Sequence, residues 1–238
     1  MVAGRTRPGR ILVAVLACAM LGVSGSVRAA TPAATATGIP LDAPWKATIY
    51  AFARAHFHHP AWGWQHSERD YRLAMQIAQG DGLRVDTDVL FAAAMLHDMA
   101  AFKPWEKPKT EHGAVAAIAS GPILRQAGFP MAKFPAVQAA MRTHMFYSKV
   151  GSLPEAIALH DADSVDFLGA MGALRVIALT GEGSPSASGA VKGLHDLLHT
   201  IPSRLLTKTA RAMAAGRVLE LGRFLDEIQA ESYGGKAL

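Results

Sequence analysis

The stretch VLFAAAMLHD, residues 89–98, decides how this chain folds. Eight apolar residues are followed at once by His97 and Asp98, so this pair is carried to the core or close to it. An isolated buried charge costs on the order of several kcal/mol unless a partner or a metal ion compensates it. The sequence therefore predicts a bound cation at the His-Asp pair.

Further histidines and an aspartate are spaced along the chain on both sides of this pair. His66 lies upstream, and His112, His144 and Asp163 lie downstream, each in or beside a segment with helical periodicity. Imidazole nitrogens and carboxylate oxygens are ligands of divalent metal ions. The order His, His-Asp, His, His, Asp is therefore a hypothesis for a metal site.

The first 29 residues have the pattern of a signal peptide. Basic residues precede an apolar stretch over 11–23, and Val27-Arg28-Ala29 follows as a cleavage site. We expect cleavage after Ala29 and a periplasmic or secreted mature protein. The apolar stretch is shorter than the ~20 residues that a spanning helix needs, so no stable membrane anchor is expected after the leader is removed.

Cysteine content and charge narrow the chemistry. Cys18 is the only cysteine and lies in the leader, which leaves the mature chain without a disulfide or a thiolate ligand. The apolar run continues past Cys18, which disfavours lipidation there. Nitrogen and oxygen ligands alone suit Mn²⁺, Fe²⁺, Mg²⁺ or Co²⁺, with Zn²⁺ as a further option. Loss of the leader leaves 20 Lys and Arg against 19 Asp and Glu, which gives no indication of nucleic-acid binding.

Helical periodicity predicts an all-α fold. Apolar residues recur at helical spacing from about residue 41 onward, and alternating β-branched runs are missing. Residues 30–40, rich in Ala, Thr and Pro, are predicted to be a disordered linker. Residues 41–238 are predicted to form a single helical domain. We expect helices over 43–57, 67–79, 86–100, 110–126, 134–146, 154–180, 187–199 and 203–231.

The ordered residues are similar to a known pattern. His66, His97-Asp98 and the stretch DADSVDFLGA at 161–170, which continues to Arg175, resemble the H…HD…D signature of the HD-domain metal-dependent phosphohydrolases. Within that superfamily they look like the small bacterial HD hydrolases that act on nucleotides and related phosphates. The resemblance implies an HD-domain helical bundle with its C-terminal helices packed on the same core.

The resemblance also implies a ligand set of His66, His97, Asp98 and Asp163. Asp163 is then the aspartate ligand, while Asp161 and Asp166 take supporting or surface positions. His112 and His144 decide whether the centre holds one divalent ion or two, because two-metal members of the superfamily carry extra histidines at such places.

Hydrolysis of a small phosphorylated substrate is the function that these residues indicate. A divalent ion polarises a phosphoryl oxygen and lowers the pKa of a bound water toward ~7, and Asp98 is a candidate to take the proton of that water. Arg69 and Lys103 are the leading candidates to bind the phosphate charge, with Lys149 and Arg175 behind them.

Two stretches depart from the small hydrolases. Trp62-Gly63 stands where these enzymes often carry a second His-Asp-type pair, and Met99-Ala100-Ala101 stands where they tend to carry a polar residue that serves the substrate. The substrate, the number of ions and the oligomeric state therefore stay open. Two alternative functions also stay open: a di-iron HD-type oxygenase, and a non-catalytic metal-binding periplasmic protein.

Overall fold

Nine α-helices account for most of residues 33–238, which are the part of the chain that this computed structural model describes. They are α1 (Pro44–His56), α2 (Trp64–Asp81), α3 (Thr87–Leu96), α4 (His112–Ala127), α5 (Phe134–Arg142), α6 (Pro154–Asp166), α7 (Gly169–Ala178), α8 (Ala187–Thr200) and α9 (Lys208–Glu231). Within the described range the only β-pairing is an isolated bridge between Ala34 and Pro40. The predicted all-α fold is confirmed. The predicted leader lies outside the described residues.

Helix α3 lies at the centre of the core. Every residue from Val89 to Leu96 is buried, and the helix contacts α1, α2, α5 and α6. Its first turn is capped by the Asp86 carboxylate, which accepts from the backbone N–H groups of Asp88 and Val89. Residues 89–96 therefore form an apolar helical segment that is buried on all sides.

This helix ends earlier than predicted. It stops at Leu96, and Asp98 adopts φ −96° and ψ 7°, which leaves the helical path before a short 3₁₀ turn at Met99–Ala101. His97 and Asp98 thus lie on the turn that follows the helix, not within a helix that continues to residue 100.

The predicted helix over 154–180 is two helices. Helix α6 ends at Asp166, and α7 begins at Gly169, which has φ +70°. A Cβ at Gly172 would overlap the backbone carbonyl of Phe167, so the chain turns through a space that only glycine leaves free. After this turn, the side chain of Arg175 reaches Asp166 on α6.

Order begins before the predicted residue 41. Residues 33–40 form a turn in which the Ala36 N–H donates to the Tyr50 hydroxyl at 2.9 Å and the Thr37 N–H donates to Glu68 Oε2 at 3.0 Å. Ile39 is buried in the core. The expected disordered linker is therefore wrong for these residues, because backbone hydrogen bonds and an apolar anchor hold them against α1 and α2.

The described residues belong to one compact unit that runs from Pro32 to Leu238. Among them, no single helix combines the length and apolar composition needed to cross a membrane. Helices α6 and α7, the latter extended to Glu182, meet those criteria only when joined across a bend of 73°.

Candidate metal centre

His66 reaches the core from the first turn of α2. This helix begins at Trp64, three residues before the predicted start, so His66 lies within it. The Nδ1 atom of His66 lies 2.9 Å from Asp166 Oδ2 on α6. Since the carboxylate accepts, Nδ1 carries the proton and Nε2 is left to face the interior.

Two other buried histidines, His97 and His144, are each fixed by a backbone carbonyl. In each, Nδ1 donates to the backbone carbonyl three residues earlier: His97 to Ala94 at 2.9 Å, and His144 to Met141 at 2.7 Å. Because the carbonyls fix the orientation of both rings, the Nε2 atoms are the available metal ligands.

A first cluster of potential ligands consists of His66, Asp70, His97 and Asp163. One ligand atom from each lies within 4.8 Å of all the others, and all four side chains are buried. The Nε2 atoms of His66 and His97 are 3.3 Å apart, and Asp163 Oδ1 lies 3.3 Å from His66 Nε2. Helices α2 and α6 and the turn after α3 thus bring these groups together.

A second cluster consists of His97, Asp98 and His144. His112, at the start of α4, adjoins it: its Nε2 lies 3.0 Å from His144 Nε2 and 3.2 Å from Asp98 Oδ1. The other carboxylate oxygen, Asp98 Oδ2, lies 3.3 Å from His97 Nε2 and 3.5 Å from His66 Nε2. Asp98 therefore has one carboxylate oxygen beside His112 and the other beside His97 and His66.

Buried carboxylates determine the pKa values of His66 and His144 when no ion is bound. Burial and the nearby Arg175 lower the pKa of His66, but the surrounding carboxylates outweigh both and raise it to about 10. Burial likewise lowers the pKa of His144, and Asp98 outweighs it and raises the value to about 9. Burial raises the pKa of Asp98, but the neighbouring imidazoles hold it well below its usual value. The site is therefore suited to a cation.

A cavity of about 330 Å³ opens onto the clusters. Asp98, His112 and Asp163 contribute to its lining, and Trp62 and Phe167 add aromatic surface. A volume near 300 Å³ is at the lower end of the range for small-molecule sites. The cavity therefore suits a small ligand that approaches the metal-facing residues.

Arg175 is the one cationic side chain among the described residues lining this cavity. It is only 2% exposed, and its Nε donates to the Ala61 carbonyl at 2.6 Å. Nη1 donates to Asp166 at 3.1 Å, Nη2 lies 3.1 Å from His66 Nε2, and the guanidinium lies over the Phe167 ring. The side chain is thus held in place beside the predicted ligands.

The two leading phosphate-binding candidates are not in the cavity. Arg69 donates to Asp166 through Nε at 3.0 Å and through Nη2 at 2.9 Å, and it does not line the cavity. The Lys103 side chain is 84% exposed and lies 3.8 Å from Glu106. Lys149 is also exposed. Closeness in sequence to His66 or Asp98 suggested Arg69 and Lys103, but their side chains point elsewhere.

The acidic run at 161–166 divides into different roles. Asp163 joins the first cluster, and Asp166 orients His66. Asp161 instead accepts from the backbone N–H groups of Leu206 and Thr207 before α9, at 2.9 and 2.8 Å. Asp161 therefore fixes the C-terminal helix and takes no part in the clusters.

Sequence reasoning missed Asp70. Its spacing of four residues from His66 places both side chains on one face of a helix, which is a readable signal once the helix includes both. The prediction began the helix at residue 67, so His66 stood outside it and the relation was hidden.

Comparison with known proteins agrees with this geometry. The family model described as "HD domain" matches residues 63–168, a range that includes all of the clustered residues. No curated protein matches the chain.

Solved structures share the fold. Bacillus subtilis YpgQ, in a crystal structure with ADP, is similar with a TM-score of 0.61 and 19% identity, over 78% of this chain and 97% of YpgQ. A Lactobacillus plantarum protein has a TM-score of 0.62 and 22% identity, over 79% of this chain and 96% of its own. A protein from an uncultured Thermotogales bacterium, named as a predicted HD superfamily hydrolase, has a TM-score of 0.53 and 24% identity, over 77% and 90%.

HD domains bind divalent metals, and the buried histidine and aspartate clusters of this chain provide groups that can hold one. The order of ligands along the sequence, the helical fold and the family match at residues 63–168 agree. Residues 63–168 therefore match the HD domain, in agreement with the resemblance to the HD-domain superfamily that the sequence suggested.

Proposed function

We propose that this chain is an exported metal-dependent phosphohydrolase that cleaves a phosphomonoester or a nucleotide-type phosphate. The observation that carries the proposal is the position of Asp98, whose two oxygens face two different groups of imidazoles beside a small cavity. A carboxylate placed in this way can hold two divalent ions together, and two-ion sites of this kind serve phosphate hydrolysis.

The residues present fit a divalent cation. Among the described residues, four buried carboxylate oxygens have no hydrogen-bond partner, which is rare for buried polar atoms. Three of them, Asp70 Oδ1, Asp70 Oδ2 and Asp163 Oδ2, belong to the first cluster, and the fourth, Glu68 Oε1, lies outside it. The donor set of nitrogen and oxygen without sulfur suits Mn²⁺, Fe²⁺, Mg²⁺ or Co²⁺. His66, His97, Asp98 and Asp163 would hold a first ion, and His112 and His144 with Asp98 would hold a second. Such an ion would polarise a phosphoryl oxygen of the substrate and lower the pKa of a bound water.

The chain's own residues supply orientation and charge. Asp98 stays ionised, because the imidazoles around it outweigh the effect of burial on its pKa. Arg175 presents a fixed guanidinium to the cavity and replaces Arg69 and Lys103 as the group to bind a phosphate oxygen. The aromatic surface of Trp62 and Phe167 bounds the space for the rest of the substrate.

The substrate class rests on two supports. The YpgQ structure holds ADP, which favours a nucleotide-type phosphate for a chain of the same fold. The cavity of about 330 Å³ with a single arginine favours a small substrate with one phosphate near the clusters. Export is proposed from the signal-peptide pattern of residues 1–29.

The test is a chelator-sensitive phosphatase screen with the mature protein, using nucleotides, sugar phosphates and model phosphoesters. We expect His97→Ala and Asp98→Ala to abolish hydrolysis, while His199→Ala, an exposed histidine on α8, keeps it. Activity retained in both site variants against every ester that the parent cleaves would refute the assignment. A protein that binds metal but cleaves none of these esters would favour the non-catalytic alternative.

The pairing of His112 with His144 favours a second candidate, a di-iron oxygenase. The pair lies beside Asp98 Oδ1, while other imidazoles lie beside Oδ2, so each oxygen has histidines next to it. Iron content after aerobic purification separates the two functions. About two irons per chain with O₂ uptake supports the oxygenase, whereas phosphatase activity with Mn²⁺ and no O₂ uptake supports the hydrolase.

A further inference from the structure

Asp70 is a buried carboxylate that accepts no hydrogen bond from the described residues. It lies in the middle of α2 with 0% of its surface exposed, and neither of its oxygens has a hydrogen-bond partner. Burial of an ionised carboxylate is costly unless a cation or several donors compensate it. Such a group therefore needs an explanation in binding or in structure.

The surroundings of Asp70 point to binding. Its Oδ2 lies 3.1 Å from His66 Nε2 and 3.5 Å from His97 Nε2, yet neither approach has the angular geometry of a hydrogen bond. Both imidazoles already donate through Nδ1, to Asp166 and to Ala94. The Asp70 oxygen thus lies close to both Nε2 atoms without a hydrogen bond to either, as ligands around an ion do.

We propose that Asp70 is an additional ligand of the ion in the first cluster. That ion would be held by two imidazoles, His66 and His97, and by three carboxylates, Asp70, Asp98 and Asp163. The inference rests on the metal centre of the proposed function and extends it by a residue outside the H…HD…D pattern.

The extra carboxylate changes the kind of ion that the cluster prefers. Two nitrogens and three oxygens exceed the four ligands of a tetrahedral zinc site. They suit ions that accept six mostly oxygen ligands, such as Mn²⁺ and Fe²⁺. We therefore expect Asp70 to favour Mn²⁺ over Zn²⁺, and its removal to weaken that preference.

The same carboxylate should destabilise the protein when no ion is bound. Removing a buried carboxyl group that has no hydrogen-bond partner takes away its desolvation cost, so leucine at position 70 is expected to leave the metal-free protein at least as stable as the parent. A purely structural carboxylate would behave in the opposite way. Stability without metal and affinity for metal therefore change in opposite directions under the proposal.

The test measures Mn²⁺ binding by equilibrium dialysis and thermal unfolding with and without Mn²⁺. Asp70→Asn and Asp70→Leu are expected to weaken the binding of one Mn²⁺ by at least about tenfold and to reduce the rise in Tm that Mn²⁺ produces in the parent. Glu68→Gln is the matched control, because Glu68 is also fully buried on α2 and its Oε1 also lacks a hydrogen-bond partner among the described residues, but it is not part of the cluster and its Oε2 accepts from the Thr37 N–H. It should bind Mn²⁺ like the parent.

The outcomes separate this inference from the proposed function. A parent protein that binds no divalent ion overturns both. A parent that binds Mn²⁺ while the Asp70 variants bind it equally tightly overturns the role of Asp70 alone. Failure of both Asp70 variants to fold without metal, with Glu68→Gln folded, shows a structural carboxylate and also overturns the inference.

Discussion

Replacing Asp166 by asparagine tests how the metal-facing histidine is held. Asp166 is almost fully buried and accepts from His66 Nδ1 at 2.9 Å, from Arg69 at 2.9 and 3.0 Å, and from Arg175 at 3.1 Å. Asparagine has the same shape, but it carries no charge and offers one carbonyl oxygen in place of two carboxylate oxygens. The substitution therefore removes both the orienting acceptor and the counter-charge.

Two magnitudes follow from these contacts. Breaking a buried ion pair by removing one partner costs about 3–5 kcal/mol. We expect a value near the lower limit, about 3 kcal/mol, because the Arg69 side chain is 26% exposed and can turn to water, while Arg175 cannot. Loss of the partner that orients a metal-binding histidine lowers metal affinity by roughly 10–100-fold.

The assays are urea unfolding of the metal-free protein and Mn²⁺ binding to the folded protein. Asp196→Asn is the control, since this exposed residue pairs with Lys192 on the surface and its substitution should change stability by less than about 0.5 kcal/mol. An Asp166→Asn protein that is destabilised but binds Mn²⁺ as tightly as the parent would refute the orienting role of Asp166.

Two further predictions concern phosphate binding and pH. Arg175→Lys should lower kcat/KM for phosphoesters by at least about tenfold, because a lysine cannot make the fixed contacts to Ala61 and Asp166. Lys103→Ala should leave it within about twofold, and equal effects of the two would contradict the assignment. In the metal-free protein the pKa values of His66 and His144 rise from 6.5 to about 10 and about 9. A raised folded-state pKa stabilises at low pH, so stability should fall from pH 6.5 to 10 without metal. Metal affinity should rise over the same range, because the ligands must be deprotonated, and pH-independent affinity would contradict this.

Most of the clustered residues could be predicted because they interrupt apolar helical sequence. His97 and Asp98 directly follow eight buried apolar residues, and His144 follows buried Ala140 and Met141 at helical spacing. Asp163 lies in an acidic run that an apolar stretch follows. Polar groups in such positions must be satisfied in the core, and the structure brings them together there. Their order along the chain was enough to suggest the superfamily, and the HD-domain match at residues 63–168 supports that resemblance.

The positions of the remaining residues depend on helix boundaries and on bends between helices, which hydrophobic periodicity does not determine. Whether Asp70 shares a face with His66 depends on three residues at the start of α2. Arg175 reaches the cavity because the chain bends between Asp166 and Gly169, where the sequence indicated one continuous helix. Arg69 lies three residues from His66, yet its guanidinium binds the Asp166 carboxylate and does not line the cavity.

The departure Met99-Ala100-Ala101 gains a physical meaning from the structure. Met99 and Ala100 are packed into the core, and Ala101 contributes only apolar surface to the cavity. Since the segment after the His-Asp pair offers a substrate no polar side chain, phosphate charge must be met by bound ions and by Arg175. Hydrolysis by this chain should therefore depend more steeply on metal loading than it would in a cavity with several basic residues.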